Sequence, residues 1–272
     1  MAVGLVAAAL FTGATTGGSV AALPASYVVD NETRHAGGVA IVGDSLTVSF
    51  LTGLPPALRF AGFGPFQIEA RSARRTLVPI AGSTSGIDGV RHIRASGFDP
   101  PLWVIALGTN DANLTARSPG ATDMTIVAML NEIGPGHRVV WVNTFAARSD
   151  GNARSFNARL LAIAATRPDL VIADWYTFAD AHRDWILDDG VHPTMPGAVQ
   201  RNAFVAQQAS AARIAPIPAP TAPQPAAPQP AAPQPAAPQP TVTQPTVTQR
   251  PVHRDTLRRH APQLHAATVL RQ

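Results

Sequence analysis

Ile41-Val42-Gly43-Asp44-Ser45-Leu46 reads as an apolar strand running into a small-residue turn that carries a serine. The apolar run begins after Gly38, and the residues from Leu46 to Leu51 can open a helix. A serine on a strand-to-helix turn has its hydroxyl close to the free backbone N–H groups of a helix N-terminus, where it can serve as an exposed nucleophile. The same residues can also be read as a helix cap, since Asp and Ser are both favoured there. The four residues Gly-Asp-Ser-Leu do not separate the two readings; the pattern around them does.

From Val39 onward, short apolar segments alternate with segments of helical spacing. The strand candidates are Val39–Val42, Phe66–Ala70, Leu102–Leu107, Val139–Asn143 and Leu170–Asp174, each bounded by Gly, Pro, Asp or Asn. The helix candidates between and after them are Ser45–Thr52, Ser85–Ala95, Ala121–Ile133, Asn152–Ala165 and Pro196–Arg213. In the fourth, Phe156, Leu160, Leu161 and Ala164 form the expected inner face, with Asn157 and Arg159 turned outward. Nearly continuous apolar strands separated by helices predict a parallel sheet covered on both faces. Ligands of such sheets bind outside the C-terminal strand ends. Ser45, Asn110 and the loop after the fifth strand all fall there. Trp103 and Trp141 lie inside strands and are expected in the core. Trp175, Tyr176 and Trp185 are read either as core under the last helix or as the wall of a binding pocket. His35, His92, His137 and His182 show no ligand spacing.

Two further stretches carry chemistry. Ile105-Ala106-Leu107-Gly108-Thr109-Asn110-Asp111 is again a strand entering a turn, and the Asn110 carboxamide is a neutral donor suited to a developing oxyanion. Asn and Asp also favour turns for their own sake. In Leu187-Asp188-Asp189-Gly190-Val191-His192-Pro193 a carboxylate three residues before a histidine can fix the imidazole's tautomer, as a histidine acting as base toward a serine requires.

In this order, Gly43-Asp44-Ser45-Leu46, Gly108-Thr109-Asn110-Asp111 and Asp189-Gly190-Val191-His192 resemble the blocks of the SGNH hydrolase (GDSL esterase/lipase) family across residues 39–213. The resemblance implies an α/β fold, a three-layer α/β/α sandwich with a five-stranded parallel sheet of the flavodoxin-like kind. It implies Ser45 as nucleophile, Asp189 and His192 as its partners, and an oxyanion hole from the N–H of Ser45, the Asn110 amide and a residue of a further block. For Asp189 over Asp188 the family's spacing of three decides. The further block aligns with Ile68-Glu69-Ala70-Arg71-Ser72-Ala73-Arg74, similar to the Asp-Ala-x-x-Gly-Arg stretch of a bacterial subgroup. Ala73 stands where that subgroup has glycine. Its N–H survives as a donor if the backbone there does not need φ > 0; Gly82 and Gly86 are the alternatives. The implied chemistry is two-step acyl transfer to water, without metal or cofactor.

Composition narrows the field. The 272 residues include no cysteine, which removes disulfide frameworks and cysteine metal sites. All 21 basic residues are arginine, which removes lysine-dependent mechanisms and any P-loop. No Gly-x-Ser-x-Gly elbow occurs, against the ordinary α/β-hydrolase pattern. The net charge of +4 lies beyond Ile214, where five arginines face Asp255, so residues 1–213 are formally neutral and the high pI does not indicate nucleic-acid binding by the folded part.

The expected organisation is a signal peptide over residues 1–25, a linker over 26–38, the hydrolase domain over 39–213, a Pro/Ala/Gln-rich disordered linker over 214–252 and a basic tail over 253–272. The apolar run of residues 2–11 is short for a membrane span and lacks a preceding basic residue. Together these features lead to an expected bacterial secreted or cell-wall-associated esterase acting on a small acyl ester, acetyl first, or an O-acylated glycan, with the basic tail meeting wall polymer or membrane surface. The competing expectations are an acyltransferase using the same residues and a surface module whose site is vestigial.

Overall fold

A computed structural model of the chain describes residues 25–115 and 118–214. Of the expected signal peptide (1–25), Pro-rich linker (214–252) and basic tail, residues 1–24 and 215–272 lie outside the described residues, while Ala25 belongs to the first strand and Ile214 to the last helix. The sheet has six strands: β1 (Ala25–Asp30), β2 (Val39–Gly43), β3 (Phe66–Arg71), β4 (Leu102–Ala106), β5 (Arg138–Val142) and β6 (Leu170–Ala173), in the order β1-β3-β2-β4-β5-β6. Strands β2 to β6 are parallel, as expected; β1 runs antiparallel to β3, Ala25 opposite Arg71 and Asp30 opposite Phe66. The expected five-stranded sheet is thus six-stranded, and part of the expected linker is a strand. β1 is short and ends in a polar run. It is held at the sheet edge by backbone pairing and by Asp30, which accepts from Arg59 at 2.8 Å and from the Glu32 N–H at 2.9 Å.

The two-residue alternation of the strands divides the core between the two faces. Val39, Ile41, Val104, Val140 and Val142 pack on one side with Leu54, Leu58, Trp175 and Val205. Ala40, Val42, Trp103, Ile105 and Trp141 pack on the other with Val90, Ile126, Met129, Phe156 and Leu160. The helices α2 (Leu54–Phe60), α7 (Trp175–Asp180) and α8 (Met195–Ile214) cover the first face. The second is covered by α3 (Gly86–Ala95), α5 (Pro119–Ile133) and α6 (Asp150–Ala164). Among the described residues no helix is long and apolar enough to cross a membrane.

Three helical details differ from expectation. The predicted Ser45–Thr52 helix stops after α1 (Ser45–Val48), and α2 starts at Leu54 with prolines in its first turn, where their missing N–H costs nothing. Asn110 and Asp111 belong to a short helix, α4 (Thr109–Thr115), instead of a turn. In α6, Leu161 is exposed and Asn157 is buried, the reverse of the predicted faces. Asn157 turns inward because its amide closes both backbone groups of Thr144, accepting from the N–H at 3.0 Å and donating to the carbonyl at 2.8 Å.

The parallel strands reverse their order of winding between β2 and β4, which are neighbours in the sheet. This switch leaves a crevice at the strands' C-terminal ends, where Ser45 and Asn110 emerge.

Candidate active site

Ser45 is the first residue of α1, directly after the β2 end. Asp44 caps that helix by accepting the Leu46 N–H at 3.0 Å. Gly43 permits the turn: a Cβ there would lie 2.2 Å from the Thr47 hydroxyl. The cap and the nucleophile readings are therefore not rivals, since Asp44 does the capping and leaves Ser45 free. As the first helical N–H, that of Ser45 has no intrahelical acceptor.

His192 Nε2 lies 2.9 Å from Ser45 Oγ, and His192 Nδ1 lies 2.7 Å from Asp189 Oδ2. Asp189 Oδ1 accepts the N–H groups of Val191 and His192 at 2.8 and 2.9 Å. Burial alone would raise the Asp189 carboxyl, but those backbone N–H groups and the imidazole outweigh it and hold it below the ordinary value. The hairpin carrying both residues is pinned by Leu187 N–H to His192 O and by Ala147 N–H to Gly190 O, each at 2.8 Å. Asp188 takes no part in the contact with His192. A serine bonded to an imidazole whose far nitrogen meets a carboxylate is the geometry that allows proton removal from the hydroxyl.

The opposite wall comes from α4 and the β3–α3 loop. Gly108 opens α4 at φ +128°, directly over the Phe156 ring, where a Cβ would come within 2.6 Å. The Trp141 indole N–H donates to the Leu107 carbonyl at 2.9 Å and fixes the strand exit. The Asn110 carboxamide donates one hydrogen to the Arg74 carbonyl at 3.1 Å, which leaves the second for a ligand. Asp111 is buried and takes the Thr76 N–H at 3.0 Å and the Thr76 hydroxyl at 2.9 Å, tying the loop to α4. Burial pushes Asp111 up to about 6 against these bonds.

Ala73 occupies a left-handed conformation, φ +55°, as third residue of a turn closed by Arg74 N–H to Arg71 O at 3.3 Å. The backbone there does need φ > 0, contrary to the condition on which an alanine was expected to serve, and the alanine carries the strain that glycine avoids. Among the described residues the Ala73 N–H has no hydrogen-bond partner. Gly86 drops out as an alternative because its N–H donates to the Arg75 carbonyl at 2.8 Å. Behind the turn, the fully buried Arg74 guanidinium bonds the Glu69 carboxylate at 2.7 Å and the Thr84 hydroxyl at 2.9 Å.

Ser45, Asn110, Asp189 and His192 line one open cleft of about 240 Å³, with Thr109, Asn113, Ala146, Ser149 and Val191. Ala73, Gly82 and Gly86 are not among its lining residues. The sequence pattern did not single out Asn113 or Ser149. Asn113 could have been found from its i+3 relation to Asn110 on α4, whereas nothing around Ser149 marks it. Trp103 and Trp141 are fully buried, as expected. Trp175 is core, its ring 5.7 Å from Phe204 of α8, and Trp185 stacks on His182 at 3.9 Å; neither they nor Tyr176 line the cleft.

A family model described as the GDSL-like Lipase/Acylhydrolase family matches residues 41–199. Among curated proteins none matches the chain. Among solved structures, the C-terminal catalytic domain of Streptococcus pneumoniae peptidoglycan O-acetyltransferase A, with a methylsulfonyl adduct, is similar at TM-score 0.50 and 20% identity, covering 65% of this chain and 92% of that one. A lipolytic protein of the G-D-S-L family from Veillonella parvula is similar at TM-score 0.48 and 18% identity, covering 63% and 97%. A carbohydrate acetylesterase from Sinorhizobium meliloti is similar at TM-score 0.47 and 20% identity, covering 64% and 98%.

Proposed function

This chain belongs to the GDSL-like lipase/acylhydrolase family and is a carboxylic ester hydrolase, and from that premise we propose that it cleaves short acyl esters through Ser45, His192 and Asp189. The observation that carries the residue assignment is the continuous contact from Ser45 Oγ through His192 to Asp189, at 2.9 and 2.7 Å. His192 takes the Ser45 proton as Oγ attacks the ester carbonyl. The oxyanion is met by the free Asn110 hydrogen and the Ser45 N–H. Collapse expels the alcohol with a proton from His192, and water repeats the sequence on the acyl-enzyme.

The cleft supports a small acyl group and a polar alcohol. Its volume of about 240 Å³ suits a small acyl group, and Thr109, Asn110, Asn113 and Ser149 offer hydrogen-bonding partners to a polar alcohol. Water is proposed as the second acceptor; transfer to a sugar hydroxyl would require water to be excluded from the site. The proposed substrate is an O-acetylated cell-wall glycan. The Streptococcus neighbour, whose name is that of a peptidoglycan O-acetyltransferase, supports this class of substrate. Export and contact of the basic tail with the wall are part of the same proposal, supported by the apolar residues 2–11 and the Pro/Ala/Gln repeats from Pro223.

The test is hydrolysis of p-nitrophenyl acetate, butyrate and octanoate by the full chain and by Ser45→Ala and His192→Ala. Turnover fastest on acetate and lost in both variants is the expected result. Unchanged turnover in either variant overturns the residue assignment, and preference for octanoate overturns the small-acyl reading.

A further inference from the structure

Two buried charges lie beneath the Ser45 turn and take no part in the acyl-transfer steps. Asp44 is fully buried; its Oδ1 accepts the Leu46 N–H, while Oδ2 has no partner among the described residues. Arg201 reaches the same turn from α8 and is 3% exposed. It donates to the Leu46 carbonyl at 3.4 Å, its guanidinium carbon lies 5.9 Å from the centre of the Trp175 ring, and its Nε is unpartnered among the described residues. A buried guanidinium with one long hydrogen bond is unfavourable unless an opposite charge compensates it. Asp44 is the charge acting on Arg201. The charges acting on Asp44 are Arg201 from α8, Asp111 from α4 and His192 from the hairpin.

We propose that Arg201 is a positioning residue for the ester hydrolysis: from α8 it holds the Ser45 turn at two points, the Leu46 carbonyl by a hydrogen bond and the Asp44 carboxylate by charge. The inference rests on Ser45 being the nucleophile. Burial raises the Asp44 carboxyl to about 6, and Arg201 is the largest influence opposing that rise. Above that value Asp44 is an anion and gives the Leu46 N–H a charge-assisted cap. Without the guanidinium, Asp44 takes up its proton at higher pH and the turn loses both anchors. Ser45 Oγ then leaves its 2.9 Å contact with His192, and misplacement of about 1 Å at a reacting atom costs on the order of a hundredfold in rate.

The experiment compares the full-length wild type with Arg201→Met, Arg201→Lys and Asp44→Asn. It follows the Asp44 carboxyl by ¹³C NMR titration, assigned by its loss in Asp44→Asn, together with the pH dependence of kcat on p-nitrophenyl acetate. In Arg201→Met the Asp44 midpoint should rise by about one unit or more. The acid limb of kcat should rise with it, so that the loss relative to wild type is at least about tenfold at neutral pH and narrows in base. Arg201→Lys keeps the charge and should hold the midpoint close to wild type. An unmoved Asp44 midpoint in Arg201→Met, or a kcat profile parallel to wild type, overturns the proposal. Should Arg201→Met fail to fold, Arg201→Gln takes its place, keeping a donor for the Leu46 carbonyl without the charge: a raised Asp44 midpoint with a raised acid limb of kcat upholds the proposal, and unmoved ones overturn it. Activity that survives Ser45→Ala would instead overturn the nucleophile assignment, and the NMR titration would still report whether Arg201 controls Asp44.

Discussion

Replacing Ala73 by glycine should make this protein more stable, against the usual direction of such a change. Ala73 holds φ +55° in the turn closed between Arg71 and Arg74. An L-residue with a Cβ is disfavoured in this left-handed region by about 1–2 kcal/mol. Glycine removes that strain but adds freedom to the unfolded chain, worth roughly 0.4–1 kcal/mol in the other direction. The net expectation is a gain of roughly 0.5–1 kcal/mol, or a few degrees in Tm for a body of this size. Urea unfolding followed by tryptophan fluorescence is a direct assay, because Trp103, Trp141 and Trp175 are buried and report loss of the core. The urea midpoint should rise with the slope unchanged, which assigns the effect to stability. Turnover should stay close to wild type, since glycine keeps the N–H. A fall in the midpoint by the amount glycine's entropy alone costs would refute the reasoning, for it would mean that residue 73 is not left-handed in solution.

Asn110→Ala should lower kcat on p-nitrophenyl acetate by about 10²–10³-fold with KM little changed; an equal rise in KM at constant kcat would assign Asn110 to ground-state binding. Asp111 is raised from 3.8 to about 6, so the folded state holds its proton more tightly than the unfolded chain does. Its contribution is therefore fully present below pH 3.8 and is lost as pH rises toward 6. Asp111→Asn should flatten the fall in urea midpoint across that window, and an unchanged slope would contradict it. Trp141→Phe leaves the Leu107 carbonyl without its indole donor, and urea unfolding should show a loss of about 1–3 kcal/mol; a negligible change would mean that another group satisfies the carbonyl.

β2, β4 and β6 were legible as uninterrupted apolar runs and β5 as one after Arg138, whereas β3 was legible from its alternation, Phe66, Ile68 and Ala70 between Gln67 and Glu69. β1 was not, since an edge strand of mixed composition owes its form to its neighbour β3. Asn157 illustrates a different limit. Helical periodicity places it outside, and only the orphaned backbone of Thr144, thirteen residues away, calls it in. At the site, Ser45, Asn110, Asp189 and His192 were expected because their three short blocks, each ambiguous alone, resemble the family's pattern when taken in order. Ala73 was found through the family pattern, but the sign of its φ belongs to the turn and cannot be read from the residue. Ser149 and Arg201 reach the site only through the fold, one from the loop after β5 and the other from a helix whose own sequence gives no reason to look there.

The acid and the base sit on one short hairpin, whereas the nucleophile is 147 residues away in sequence. Local bonds within the hairpin bind Asp189 to His192 whatever the rest of the molecule does. Movement of the hairpin as a body therefore leaves that pair intact and changes the gap between His192 Nε2 and Ser45 Oγ. Two latches resist that movement, this contact and the Ala147–Gly190 backbone bond. Mild heating should open both, and stop turnover reversibly, at temperatures where the sheet and both halves of its core are still fully folded.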